Sequence, residues 1–274
     1  MKSFSSCLIL LLFFTLSLYS QNGAPPSSGA RGIGMGGVGL TFKDINSLFA
    51  NPAGLSYLEG VAATVMAEER FLVAEIKSVS AGGAIPTQSG TYGLSLNYLG
   101  FEGYNEQRLG LAYSRKLLES LSIGGQFIVL NTRIPEYGSN IVATFELGFL
   151  LGLFPNLDLG FHVFSPLRVN ILPDEQLPTV FRLGLGYQPS EKVKLLAEVE
   201  KDIDYLTRVK MGLDYKIIKP LYLRLGMATE PTLLSFGLGL QLESGLLIDV
   251  ASQYHQVLGF TPAISLTYQG SKKE

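Results

Sequence analysis

The sequence predicts an all-β protein, a transmembrane antiparallel β-barrel of about fourteen strands with a small N-terminal hatch. Three observations carry that prediction. Apolar residues alternate with polar or glycine residues in segment after segment from about residue 61 onward. Tyr92, Leu94, Leu96 and Tyr98 interleave with Thr91, Gly93, Ser95 and Asn97. Phe181, Leu183, Leu185 and Tyr187 alternate with Arg182, Gly184 and Gly186, and the same grammar returns from Phe260 to Tyr268. Side chains on a strand point to opposite faces by turns, so each segment has one greasy face. The second observation is the other face, which is rich in Gly, Ser and Ala where a water-facing sandwich would carry Lys, Glu and Gln; small residues suit the crowded inside of a narrow barrel. The third is composition: 47% of residues are hydrophobic and 16% charged, yet no segment after the leader is long enough for a membrane helix. A closed barrel is the other structure that satisfies every backbone hydrogen bond in lipid.

The chain opens with a predicted signal peptide over residues 1–20. Lys2 supplies the positive start, Leu8 to Leu18 the hydrophobic run, and Ser20 before Gln21 a small residue at the cut. Leu18 is larger than the small-x-small pattern prefers. Cys7, the one cysteine, lies inside this leader without the neighbours of a lipid-attachment box, so the mature chain has none. Secreted soluble domains often need disulfides and barrels do not, which agrees with the fold. A net charge of −2 argues against nucleic acid as a partner, because a phosphate backbone selects a basic surface.

Residues 21–59 form a hatch segment of different character. It runs through Pro25-Pro26-Ser27-Ser28-Gly29 into Ala30-Arg31-Gly32-Ile33-Gly34-Met35-Gly36-Gly37. A short helix is predicted from Asp44 to Phe49, stopped by Asn51-Pro52, with a turn at Ala53-Gly54. Gly32, Gly34 and Gly37 fit a G-x-G-x-x-G spacing, but no hydrophobic strand precedes them as a dinucleotide site requires. A tight turn that uses positive φ is the expected reason for these glycines. Asn51 is expected to bond nearby backbone at a helix end while Pro52 fixes the chain direction.

The barrel is predicted over residues 60–269, with a short tail at 270–274. Its segments fall near 61–69, 76–86, 90–100, 105–117, 120–132, 141–153, 157–165, 178–188, 192–201, 206–216, 220–229, 232–242, 246–255 and 259–269. With the N-terminus in the periplasm, the turns at Pro155-Asn156, Lys219-Pro220 and Glu243-Ser244-Gly245 face the periplasm, and the longest connection, Ser165 to Leu177, faces outward. Out of phase with the leucines, and so predicted inside, are Arg108, Glu146, Asp158, His162, Arg182, Lys194, Glu198, Arg208, Lys210, Asp214, Arg224 and Asp249. Both signs occur, which reads as lumenal ion pairs holding barrel and hatch together, since a confined charge is costly unless paired. Ile128, Leu130, Leu150 and Leu196 are the inward hydrophobes of this register.

No catalytic constellation is present. Serines lack a G-x-S-x-G setting, and His162 and His255 lack further spaced ligands, so neither enzymatic activity nor a metal or other cofactor is expected. The acidic pairs Glu68-Glu69 and Asp174-Glu175 read as solvated charge at strand ends and in a loop.

Gly29-Ala30-Arg31, Gly34-Met35-Gly36-Gly37 and Asn51-Pro52-Ala53-Gly54-Leu55 together resemble the N-terminal signature of the FadL-like outer-membrane proteins, most closely the PorV/PorQ branch of Bacteroidetes. The match covers residues 29 to 58, with Asp44 as the acid of the branch motif and Leu48-Phe49-Ala50 a partial match. The resemblance implies a fourteen-strand barrel in the outer membrane of a Gram-negative bacterium, surrounded by lipid, with the segment folded inside as a hatch and Asn51 anchoring it to the wall. It also implies two functions. The first is a partner or shuttle subunit in a protein-secretion or surface-assembly complex, in the manner of PorV. The alternative is FadL-like passage of a hydrophobic ligand across the outer membrane. The short connections lower the expectation of a high-affinity capture site.

Overall fold

In the computed structural model the described residues are 23, 25–135, 138–172 and 175–270. The predicted leader, Asp174 and residues 271–274 of the tail lie outside them. The strands are β1 (Ala62–Glu69), β2 (Lys77–Pro86), β3 (Thr91–Phe101), β4 (Tyr104–Lys116), β5 (Leu121–Ile134), β6 (Gly138–Phe154) and β7 (Leu157–Phe164), followed by a two-stranded ribbon of β8 (Asn170–Leu172) and β9 (Glu175–Gln176). The chain continues through β10 (Val180–Ser190), β11 (Val193–Asp202), β12 (Arg208–Ile218), β13 (Leu221–Ala228), β14 (Leu233–Gln241), β15 (Leu246–His255) and β16 (Gly259–Gln269).

All but the ribbon form one closed antiparallel barrel of fourteen strands in sequence order, sealed where β1 pairs with β16 in the register Val65↔Leu266. Closure removes both sheet edges, which lipid could not solvate. The ladder is continuous except for shifts at Gly152/Phe154, Tyr187/Ser190 and Lys216/Ile218, all on one rim. That rim carries the tight turns at 155–156, 191–192 and 219–220 and both ends of the barrel, whereas the opposite rim carries the longer connections at 70–76, 165–179 and 203–207. Short periplasmic turns and longer outer loops are the outer-membrane pattern, so the first rim is the periplasmic one.

Leu94, Leu183, Leu185, Val250, Ile264 and Leu266 stand exposed on the outer surface, while Ser80, Ser95, Thr64 and Ser265 between them are buried inside. An apolar exterior this extensive is lipid contact. Tyr92 packs on Tyr113 near the periplasmic rim, and Tyr254 on Phe260 near the outer one, at the two levels where amphipathic rings meet the membrane surface.

The interior is a packed core rather than a channel. The hatch fills it with α1 (Gly29–Gly34), a 3-10 turn at Ile45–Phe49 and a second at Pro52–Tyr57. Small residues on the wall's inner face exist to admit this mass. A Cβ on Gly82 would meet Leu48 Cδ2 at 2.7 Å, and one on Gly93 would meet Leu48 Cδ1 at 2.9 Å. Ile45, Leu48, Phe49, Leu55 and Leu58 pack there against Ala62, Ala84 and Ala112.

Candidate functional site: the hatch and the lumen

The hatch begins with Ser28, Gly29 and the short helix α1, which lies against β14, β15 and β16. Ala30 and Ile33 pack on Met66, Ala251 and Ala263 of the wall. The chain then reverses at Gly36 and Gly37, with φ of 78° and 82°. Gly32 and Gly34 do not serve that turn: both are helical, and they correct the expectation of a shared positive-φ role. Their reason is clearance. A Cβ on Gly32 would reach Val38 O at 2.9 Å, and one on Gly34 would press on Gly237 Cα at 3.2 Å.

At Gly36 the hatch meets the wall backbone on backbone. A Cβ there would meet Met227 O at 2.6 Å and Met211 O at 2.9 Å, and a Cβ on the facing Gly226 would meet Gly36 N at 2.2 Å. Glycine is required on both sides of this contact.

The helix predicted from Asp44 is a 3-10 turn, capped by the Asp44 side chain, which accepts from Asn46 N at 2.8 Å. It ends before Asn51, and Asn51 caps the next turn instead, its Oδ1 accepting from Ala53 N at 3.2 Å. The segment at Ala53-Gly54 is therefore the inside of a second 3-10 turn rather than a simple reversal. Asn51 Nδ2 donates to Leu40 O at 2.9 Å and to Phe149 O of β6 at 3.1 Å, so one side chain ties two parts of the hatch to the wall. Glycines clear the space: a Cβ on Gly148 would strike Asn51 Oδ1, one on Gly124 would strike Pro52 and Ala53, and one on Gly54 would strike Phe42 O.

The inward charges fall into three groups. Near the periplasmic side Arg224 is fully buried between Asp214 Oδ1 at 3.3 Å and Asp249 Oδ1, and Arg31 of the hatch reaches Asp214 Oδ2 at 3.0 Å and Asp44 at 2.5 Å. Lys43 of the hatch meets Asp158 at 2.8 Å. On the outer side Glu200 gathers Arg182 at 3.1 Å, Lys210 at 2.5 Å and Arg208 at 3.9 Å. A third pair, His162 Nε2 and Glu146 Oε2, lies at 3.4 Å beside them. Glu198 stands apart: its Oε1 accepts from two successive hatch amides, Gly39 N at 2.6 Å and Leu40 N at 2.7 Å. Arg108 donates to Gly23 O at 2.8 Å.

Four inward carboxylates escaped the sequence reading: Glu68, Glu106 and Asp202 are buried, and Glu200 is half-buried. Glu200 and Glu106 sit two residues from Glu198 and Arg108 on the same strands, so the alternation already in use assigns them inward. Glu68 is buried and accepts from Ser27 Oγ at 2.7 Å and Arg70 Nε at 2.8 Å, which corrects its reading as solvated charge.

Beside these charges the outer end of the lumen holds an apolar cluster. Ile128, Leu130, Phe164 and Val180 of the wall close over Ile171 and Leu177, which the long connection between β7 and β10 folds inward. Asn140 Nδ2 donating to Ile171 O at 2.6 Å and Thr179 Oγ1 to Ser165 O at 2.6 Å pin that connection across the opening. Gly23 lies against this cluster, in contact with Ile171 and Leu177, and its amide donates to Glu106 Oε1 at 3.0 Å. The four inward hydrophobes do not share one pocket: Ile128 and Leu130 belong to the mouth, Leu196 packs on Met35, Val38 and Phe42 of the hatch, and Leu150 is buried in neither cluster. His255 lies at the outer rim, its Nδ1 accepting from Val257 N and Leu258 N. Among the described residues no group of three metal-ligating side chains converges.

A closed fourteen-strand barrel with a lipid-facing exterior and an internal N-terminal hatch defines the chain as an outer-membrane β-barrel. Its fold is that of the FadL-like channels. It superposes on a Pseudomonas aeruginosa FadL homologue with a TM-score of 0.69 at 14% identity, over 89% of this chain and 98% of the other. The Ralstonia pickettii toluene transporter TbuX gives 0.69 at 12% identity over 89% and 99%, and the monoaromatic hydrocarbon channel CymD gives 0.71 at 12% over 92% and 99%. A scan against protein-family models finds no match, nor does a search of curated protein sequences.

Proposed function

We propose that this chain is a non-catalytic passage protein that takes a small hydrophobic molecule, of the size of toluene or somewhat larger, from the outer face of the membrane inward. The observation that carries the reading is the apolar cluster at the outer mouth. A barrel lumen exposed only to water and ions would be polar there. Here four hydrophobic side chains of the wall converge on two from a folded-in connection. Burying an apolar ligand among them exploits the same force that buries the hatch. The fold it shares with hydrocarbon channels supports this reading over the shuttle reading.

The test is uptake of radiolabelled toluene by cells that lack their own channel and express this chain. Wild type is expected to raise uptake. The double variant Ile128→Asn/Leu130→Asn is expected to lower it by about a hundredfold or more, because each polar swap removes roughly 1.5–3 kcal/mol of apolar burial. Unchanged gel mobility shifts on heating check that the barrel still folds.

A PorV-like partner role has one observation of its own beside the hatch motif. Leu72, Leu206, Val257 and Leu258 are exposed on the outer rim, with Val257 at 84%, above the Tyr254–Phe260 pair. Purification from the native outer membrane separates the two readings. Recovery within a larger complex, with no effect on toluene uptake, would overturn passage.

A further inference from the structure

We propose that the outer face of the wall over β11–β14 carries a lipid site, a trough that seats one acyl chain of an outer-leaflet lipid. The site lies outside the lumen and is independent of the passage reading.

A closed barrel presents a convex surface to the membrane, yet this stretch of wall is hollow, with a concavity of about 1020 Å³. Its floor is one row of paired residues running across the strands, Leu196↔Gly212↔Gly226↔Ser235. The side chains of Leu196 and Ser235 are buried on the inner side and the two glycines have none, so this row shows backbone to the lipid. The next row toward the outer rim, Ala197↔Met211↔Met227, forms one bank, and Leu195↔Leu213↔Leu225 forms the other. From inside, the hatch lies directly against the floor: a Cβ on Gly212 would meet Met35 Cβ at 2.8 Å, and one on Gly226 would meet Gly36 N at 2.2 Å. The wall is thus packed on its inner face and open on its outer one.

The lining selects hydrocarbon. The side chains of both banks are aliphatic or thioether, and hydroxyls come only at the two ends, from Tyr187 toward the periplasmic rim and Tyr254 toward the outer one. Tyr254 packs on Phe260 at the level of the outer membrane surface, where the ester linkages of a lipid stand, so the chain enters at that end. From β10 to β16 the trough crosses six strand intervals, roughly 29 Å at about 4.8 Å each. That is close to the full hydrocarbon thickness of about 30 Å, twice what the chains of one leaflet span, so a whole chain fits. Because the strands tilt by about 40°, the trough runs aslant and holds a chain out of line with the free lipids around it.

Lipid around the barrel is as apolar as the trough, so close contact rather than escape from water is what retains the chain. Met211 and Met227 are cross-strand partners and, among the described residues, the exposed methionines; their unbranched thioethers adapt the bank to its occupant. Ala197, paired with Leu185 and Met211, is the small member of its row, and a bulky residue there takes the place of the chain.

Native mass spectrometry of the purified protein, with palmitoyl-oleoyl phosphatidylethanolamine added to the detergent, tests the site. Wild type is expected to keep one lipid per barrel. Ala197→Phe should lower the lipid-bound fraction about tenfold, since the ring occupies the contacts the chain would make. Ala81→Phe, outward on β2 between the exposed Val65 and Leu96, should leave it unchanged. A wild type that keeps no lipid, an Ala197→Phe variant that keeps it equally well, or an equal loss in both variants overturns the proposal. Dimers abolished by Ala197→Phe would assign the trough to a second copy of the chain and overturn it too.

A second readout does not depend on how Ala197→Phe folds. The chain has no tryptophan, so Leu213→Trp in the trough and Leu96→Trp on the opposite wall each supply a single emitter. In detergent micelles titrated with dibrominated phosphatidylcholine, Leu213→Trp is expected to be quenched to a plateau at one lipid per barrel. Leu96→Trp should be quenched only in proportion to the lipid added. Superimposable curves overturn the proposal.

Discussion

A Cβ on Gly226 would lie 2.1 Å from the carbonyl carbon of Met35, so even alanine is excluded while the hatch is seated. The position has ordinary strand alternation, and nothing around it in sequence distinguishes it from Gly184 or Gly239. Asn51 is the converse case, a residue whose neighbours Pro52 and Ala53 already mark it. Its side chain satisfies one amide and two carbonyls in a fully buried spot. Asn51→Ala is expected to cost about 1–3 kcal/mol for each buried group left without its partner. Thermal unfolding followed by circular dichroism in detergent measures the loss. Local hydrogen exchange should place it at the Ile45–Phe49 and Pro52–Tyr57 turns rather than across the barrel.

Inward charges on single strands are held by partners on neighbouring strands of the wall. Arg224 on β13 reaches past β14 to Asp249 on β15, and it can do so because Gly239 on β14 has no side chain: a Cβ there would meet Arg224 Nη2 at 2.6 Å. Asp214 on β12 holds the other side of the guanidinium. Replacing Arg224 by Met would leave two buried carboxylates with one cation, Arg31, between them, and the expected destabilisation is about 3–5 kcal/mol. A lowered urea midpoint for refolding into vesicles is the measurement. Adding Asp249→Asn to Arg224→Met should recover part of the loss, because it removes the carboxylate that Arg31 does not reach. No recovery would mean that packing, not charge, is what Arg224 supplies.

At the scale of the whole molecule the solvent for the outer face is hydrocarbon. Leu238, half exposed near the middle of β14, faces it directly. Leu238→Arg is expected to cost roughly 2–4 kcal/mol in vesicle refolding, as a cation at mid-membrane does. Leu206→Arg, on the outer connection between β11 and β12, should cost nearly nothing in the same assay. Equal costs would contradict the membrane level assigned to the two rims.

Alternation, with a small-residue second face and a low share of charge, determined the barrel. The fourteen strands, the greasy exterior and the inward set from Arg108 to Asp249 are all readable from period-two patterning, because lipid outside and crowding inside constrain every second residue in opposite ways. The hatch motif was legible for the same kind of local reason, since proline and glycine restrict or free the backbone wherever they stand. What the tertiary structure decided was pairing. Which carboxylate holds Arg31, why Glu198 faces two amides instead of a cation, and why Gly34 is glycine depend on residues more than a hundred positions away brought together by closure. The apolar cluster at the outer end is of that kind too. Ile171 and Leu177 belong to a connection with no periodicity, and only the folding of that segment over Ile128 and Phe164 makes a site from them.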